Sequence, residues 1–229
     1  MSYEYKQKNN GNYTEKAYKY IKSKILNHDY KPGESITEKK ITEELDISRT
    51  PVRRAFHKLE NEGLLEKDNR GFVVYSLSKA DIKEIFETKK VLESYLVAEA
   101  CKKRTQEDVK KMNKYLDNME KAAKDENVDR WVENDLKYHD LVYKIAKNKR
   151  AYKIVNNLNE QWHRLKLSFI ALEKRTSTSV IEHRNITEAI KEKDCEKASK
   201  NMKEHLDKVK NSLLELLDNF VIPYVGDKF

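Results

Sequence analysis

The sequence predicts a mainly α chain, an N-terminal winged helix-turn-helix of three helices plus a β-hairpin wing, followed by an all-helical antiparallel bundle. Three observations carry this. Gly 5 and Pro 3 in 229 residues is about 3.5%, where roughly 12% is usual, too few turn formers for a sandwich, a propeller or a doubly wound sheet. Apolar residues recur at helical spacing along most of the chain. Two short β-prone runs, Leu64-Leu65-Glu66-Lys67 and Phe72-Val73-Val74-Tyr75, flank Asp68-Asn69-Arg70-Gly71 and read as a hairpin.

In chain order, residues 1–12 read as a flexible lead. From Thr14, Ala17, Ile21 and Ile25 repeat at four and make an amphipathic helix that stops before Lys31-Pro32-Gly33. Thr37 caps a short second helix with Ile41 and Leu45 on one face. Ser48 is a good N-cap for a third, which carries Pro51 in its first turn and Val52, Ala55, Phe56 and Leu59 inward, with Gly63 as its stop. The hairpin completes a winged helix-turn-helix over 13–76. Residues 77–220 read as six helices, at 79–102, 106–123, 130–146, 150–173, 178–192 and 195–219, whose short connections imply an antiparallel bundle. Residues 221–229 form a tail.

No apolar run approaches the roughly 18 residues of a membrane span, and the polar start has no signal region. A soluble, cytoplasmic protein with no membrane partner is expected. Cys101 and Cys195 lie far apart without metal or redox spacing, so they read as buried or free thiols. The net charge of +8 permits nucleic acid as a partner without selecting it.

The basicity is local. Arg49, Arg53, Arg54 and Lys58 crowd one helix with no acid between Ser48 and Leu59, and a helix N-terminus with Arg49, Thr50 and Arg53 offers donors for phosphate and guanidinium forks for guanine. A solvated basic face would carry the same residues, but its place in a winged helix-turn-helix favours DNA reading. The stretches Lys31 to Glu38, Ile47-Ser48-Arg49-Thr50-Pro51-Val52-Arg53 and Arg70-Gly71-Phe72 resemble the GntR family of bacterial transcription regulators. The resemblance implies that Lys39, Ser48, Arg49, Thr50 and Arg53 meet phosphates or bases, and that Arg70 and Gly71 at the wing tip approach the minor groove. Arg54 departs from the family, which has an acid there.

In the second domain Asp135 and His139, four apart, share a helix face with apolar neighbours, while His183 and His205 lie on the apolar faces of two later helices. Singly each reads as a satisfied core group. Together, one carboxylate and three imidazoles suit a divalent cation such as Zn²⁺, Ni²⁺ or Mn²⁺ with open positions. Residues 77–220, through Val91-Leu92-Glu93, Asp135 to His139, Glu182-His183-Arg184 and His205, resemble the FCD domain of FadR/VanR-type GntR regulators. This implies that Asp135, His139, His183 and His205 bind the metal and that a small carboxylate effector completes the site. Lys89 stands where the family often has Arg. Asn157, Gln161, Arg164 and Ser168 form a polar helical stripe that either faces solvent or lines the effector cavity, with Arg164 pairing a carboxylate.

The expected function is that of a ligand-responsive regulator that binds an inverted-repeat operator as a homodimer, because two-fold symmetry doubles the few base pairs one helix reads. The alternatives are a constitutive DNA-binding protein with a purely structural metal site, and an all-helical metal-dependent hydrolase suggested by His139-Asp140. The hydrolase is disfavoured because no acid or base stands out beyond the four ligands, so no enzyme activity is expected.

Overall fold

The computed structural model describes residues 2–27, 29–69, 71–163 and 175–219, with 2–12, 162–163 and 219 as backbone alone. The chain divides into two compact units between Ser78 and Lys79.

In the first unit, α1 (Ser2–Leu26), α2 (Glu38–Leu45) and α3 (Arg49–Asn61) pack with β1 (Ser35–Ile36), β2 (Leu65–Asp68) and β3 (Gly71–Val74). Ala17, Ile21 and Ile25 of α1 close on Ile41, Val52, Phe56 and Leu59 in one buried cluster. The helix runs back to Ser2, so the expected flexible lead is drawn as its first turns. Within that stretch Glu4, Lys6, Gln7 and Lys8 are good helix formers, followed by the weaker Asn9, Asn10 and Gly11. Thr37 caps α2 by accepting from the Lys40 amide at 3.2 Å, and Asp46, left-handed at φ 52°, ends it, which turns the chain sharply into α3. The sheet order is β1-β3-β2, antiparallel throughout. Strand β1 was not expected from the sequence. Two residues carry no readable period, and it exists because Ser35 and Ile36 find Val73 and Phe72 as partners.

In the second unit, six helices are present among the described residues: α4 (Lys79–Lys103), α5 (Gln106–Lys124), α6 (Val128–Ala146), α7 (Lys149–His163), α8 (Thr176–Glu192) and α9 (Cys195–Asn219). Thr105 and Asp108 form a reciprocal capping box at the start of α5. The expected helix 150–173 is described only to His163, and Arg164 and Ser168 lie outside the described residues.

Helices α4 and α9 run antiparallel. Lys79 meets Asp218, Lys90 meets Asp207 at 2.9 Å, and Cys101 meets Cys195. The last contact corrects the expectation of free thiols, because the two cysteines are joined in a disulfide with Cα atoms 5.4 Å apart. Their separation of 94 residues hid the pairing, since only the antiparallel packing brings one helix end to the other's start. The unit also buries a polar seam, including Lys89, Glu93, Asp135, His183 and His205, inside an otherwise apolar core.

Candidate nucleic-acid interface and metal centre

Helix α3 presents its apolar side to the core and its N-terminal turn to solvent, where Ser48, Arg49, Thr50, Arg53 and Arg54 are exposed. The Ser48 side chain makes no capping bond. Lys39, on α2, is exposed and 3.9 Å from Glu43. A cavity of about 500 Å³ opens between α3 and the hairpin, with Arg53, Lys67 and Gly71 among its walls. Gly71 has φ +119°, which a side chain rarely adopts. The other wing-tip residue, Arg70, lies outside the described residues.

Arg53 is not solely a solvent-facing cation. Its Nε donates to Glu38 Oε1 at 2.7 Å and its Nη2 to Oε2 at 3.1 Å, a bidentate pair. The Arg53 bond holds the Glu38 carboxyl below its ordinary range despite partial burial. Sequence reasoning missed this partner because the two residues are 15 apart on different helices.

In the second unit, α6, α8 and α9 carry Asp135, His139, His183 and His205 to one place. Asp135 Oδ1 is 3.3 Å from His183 Nε2 and 3.7 Å from His139 Nε2. The two Nε2 atoms are 3.0 Å apart, and the His205 ring centroid lies 4.5 Å from that of His183. One nitrogen from each of the three histidines lies within 4.8 Å of the others.

The tautomers follow from the partners of the other ring nitrogens. His183 Nδ1 is 2.7 Å from the Ser179 carbonyl, which can only accept, so Nδ1 carries the hydrogen. His205 Nδ1 is 2.8 Å from Glu182 Oε2 and donates likewise. Tyr143 gives its hydroxyl hydrogen to Glu93 Oε2 at 2.6 Å, so its oxygen accepts from His139 Nδ1 at 3.2 Å. Each ring is therefore anchored through Nδ1, which leaves Nε2 as the atom that can face a cation.

Burial pushes the Asp135 carboxyl up to about 7, eased by the Lys89 charge and raised further by Glu93. Burial, then the neighbouring His205 and His139, hold His183 well below its ordinary value, so it stays neutral. Burial alone would raise Glu182, but the His205 hydrogen bond and the His205 and Arg175 charges outweigh it and hold it at about 2. Three imidazoles, each anchored through Nδ1, that converge beside a buried carboxyl fit a borderline divalent cation, and imidazoles tied to carboxylate or carbonyl are how protein sites orient such ligands.

The adjoining cavity is about 40 Å³, room for a cation and a water or two. Lys89, Glu93 and Tyr143 line it, and α7 contributes Asn159. Asn157 and Gln161 are not among its lining residues, and Gln161 instead donates to Asn157 at 2.8 Å. The sequence reading missed Asn159 and the buried Lys89–Glu93 pair, whose Nζ and Oε1 are 2.6 Å apart. A signal for that pair was present, because an i, i+4 Lys-Glu on the α4 face of Ile82, Ile85 and Phe86 is out of place in solvent-facing terms.

Residues 13–74 match the model of the bacterial regulatory proteins of the gntR family, and residues 84–208 match that of the FCD domain. The HTH-type transcriptional regulator YdhC of Bacillus subtilis (strain 168) is 30% identical over 82% of this chain and 85% of its own. The gluconate operon transcriptional repressor of the same species is 25% identical over 86% of this chain and 83% of its own. Among solved structures, Escherichia coli McbR/YncC superposes with a TM-score of 0.71 at 20% identity, covering 89% of this chain and 98% of that one. The metal-free FCD domain of TM0439 superposes at 0.51 and 25% identity, covering 63% and 99%. With its winged helix-turn-helix and helical second unit both matched, the chain belongs to the GntR family of bacterial transcription regulators and carries an FCD domain; it is a DNA-binding regulator and not an enzyme.

Proposed function

We propose that the chain is a ligand-responsive regulator that binds an inverted-repeat operator as a homodimer and is tuned by a small carboxylate metabolite at a pocket containing one divalent cation. The observation that carries this reading is the convergence of the Nε2 lone pairs of His139 and His183, with His205, on Asp135. Asp135, His139, His183 and His205 would hold the cation, which when bound supplies a positive centre that attracts an anionic ligand. Lys89 and Asn159 stand beside it. The effector roles assigned from the sequence to Asn157, Gln161 and Arg164 remain part of the proposal, Asn157 and Gln161 lying on the same helix as Asn159.

In the DNA-reading unit, Ser48, Arg49, Thr50 and Arg53 would enter the major groove, Lys39 would meet phosphate, and Arg70 and Gly71 would approach the minor groove. Homodimerisation is supported by exposed apolar side chains on neighbouring helices, Val91 and Tyr95 on α4 and Ile154 on α7. Such a regulator works on chromosomal DNA and hence in the cytoplasm.

A second reading, constitutive DNA binding with a purely structural cation, is favoured by the size of the cavity and by Glu93 already neutralising Lys89. One experiment separates the two. Protein purified without chelator is assayed for Zn, Ni and Mn, and its operator affinity is titrated with a panel of small carboxylates. Stoichiometric metal with an operator affinity that shifts on adding one acid supports the first reading, and linkage then requires operator DNA to shift the affinity for that acid by the same factor. Metal without any shift supports the second. Absence of metal overturns both.

A further inference from the structure

The disulfide lies outside the metal centre and nothing in the regulator's expected activity uses it. Cys101 sits near the end of α4 and is fully buried, whereas Cys195 is the first residue of α9 and half-buried. The two helices it joins also form walls of the small cavity, through Lys89 and Glu93 on one side and His205 on the other. A protein that works on chromosomal DNA meets a thiol-reducing medium, where disulfides serve mostly as redox-responsive rather than permanent bonds.

We propose that Cys101 and Cys195 are a reversible thiol–disulfide couple that exchanges with low-molecular-weight disulfides and clamps α4 to α9. The chemistry follows from the unequal exposure of the two sulfurs. In the reduced protein Cys195, half-buried at the first position of α9, is the accessible thiol, and its thiolate form is the nucleophile. That thiolate attacks one sulfur of a small disulfide R–S–S–R, forming the Cys195–S–S–R bond and releasing RS⁻, which takes up the proton Cys195 lost. Cys101, buried beneath, then gives up its proton and attacks Cys195 Sγ. The Cys101–Cys195 bond forms and a second RSH leaves, so two protein thiols are oxidised as one small disulfide is reduced to two thiols. Excess RSH runs the sequence backwards.

The clamp acts where the two helices are furthest from their other cross-links. Along the α4–α9 seam, Lys90–Asp207 and Lys79–Asp218 tie the opposite half, and the disulfide is the covalent tie of the half that begins at Cys195, near Arg104, which donates to the Ile190 and Lys191 carbonyls. The reduced form therefore loosens the start of α9, the helix that carries His205, by removing its covalent tie to α4. This claim needs neither the cation nor the effector.

The test uses the full chain. Reduced protein is incubated with oxidised glutathione, alkylated with N-ethylmaleimide after denaturation, and weighed by mass spectrometry. The expected product takes up no alkyl groups, and reduced glutathione returns a protein that takes up two. Cys101→Ser should accumulate a single glutathione adduct on Cys195, while Cys195→Ser should react at least about tenfold more slowly. Hydrogen exchange of the oxidised and reduced wild type should differ by about tenfold in the last turn of α4 and the first turn of α9. A folded protein that stays reduced, a disulfide that glutathione cannot reopen, adduct formation on Cys101 in preference to Cys195, or identical exchange in both forms would each overturn the proposal. None of these readouts depends on metal content, so failure here is distinguishable from failure of the metal reading.

Discussion

The Nε2 atoms of His139 and His183 stand 3.0 Å apart, with each ring held through its other nitrogen by Tyr143 or Ser179. Two lone pairs facing one another at that distance repel unless a proton or a cation lies between them. Added Zn²⁺, Ni²⁺ or Mn²⁺ should therefore raise the melting temperature of chelator-treated protein, by an increment that grows with the logarithm of metal concentration. His183→Ala and His205→Ala should abolish most of that increment while leaving operator binding near wild type. Equal metal-dependent stabilisation of the variants would remove these rings from the site.

The tie from Tyr143 to His139 makes a second expectation. Tyr143→Phe keeps the ring and loses the oxygen that accepts from His139 Nδ1, so His139 can adopt the other tautomer with the hydrogen on Nε2. Metal affinity should fall by about 10- to 100-fold, read by competition with a chromophoric chelator. An unchanged affinity would mean that packing alone orients the His139 ring.

Asp135 sets the pH dependence. Its carboxyl is pushed from the usual 3.8 up to about 7 by burial, so the folded, cation-free protein holds that proton more tightly than the unfolded chain. Between about pH 4 and 7 this contribution to stability therefore falls as pH rises, and above 7 the full penalty remains, about 4 kcal/mol at most. Asp135→Asn cannot ionise, and at pH 8 the cation-free variant should be more stable than the wild type by about 2 to 4 kcal/mol, as measured by denaturant unfolding. Metal affinity of the wild type should run the other way, weakening as pH falls below about 7, because the cation and the proton compete for one carboxylate. A cation-free stability difference that ignores pH between 5 and 8 would rule out this account.

On DNA, Arg53 and Arg49 replaced by Ala should each weaken specific operator binding by about 10- to 100-fold if they read bases. Lys39→Ala should weaken all sequences alike and lower the slope of log affinity against log salt. Glu38→Gln releases the bidentate partner of Arg53 and removes a negative charge from the same surface. It should raise non-specific affinity while reducing discrimination between operator and scrambled DNA, as measured by fluorescence anisotropy. Discrimination that survives Glu38→Gln would show that Glu38 does not pre-set the Arg53 side chain.

What the sequence determined by itself is the set of properties written in local spacing. The caps at Thr37, the basic turn of α3 and the inward faces of the bundle helices follow from residues within one or two turns of each other, and local sterics and hydrogen bonding settle them before any tertiary contact forms. Asp135 and His139 were legible as a pair for the same reason. Tertiary structure decided everything that depends on two elements meeting. It joined Cys101 to Cys195 across 94 residues, paired Arg53 with Glu38, and gave Ser35 and Ile36 a strand partner in β3. It also chose Asn159 over Asn157 and Gln161 as the α7 residue at the cavity, because a rotation of about 100° per residue about a helix axis changes which side chain faces inward while the hydrophobic period remains compatible with either.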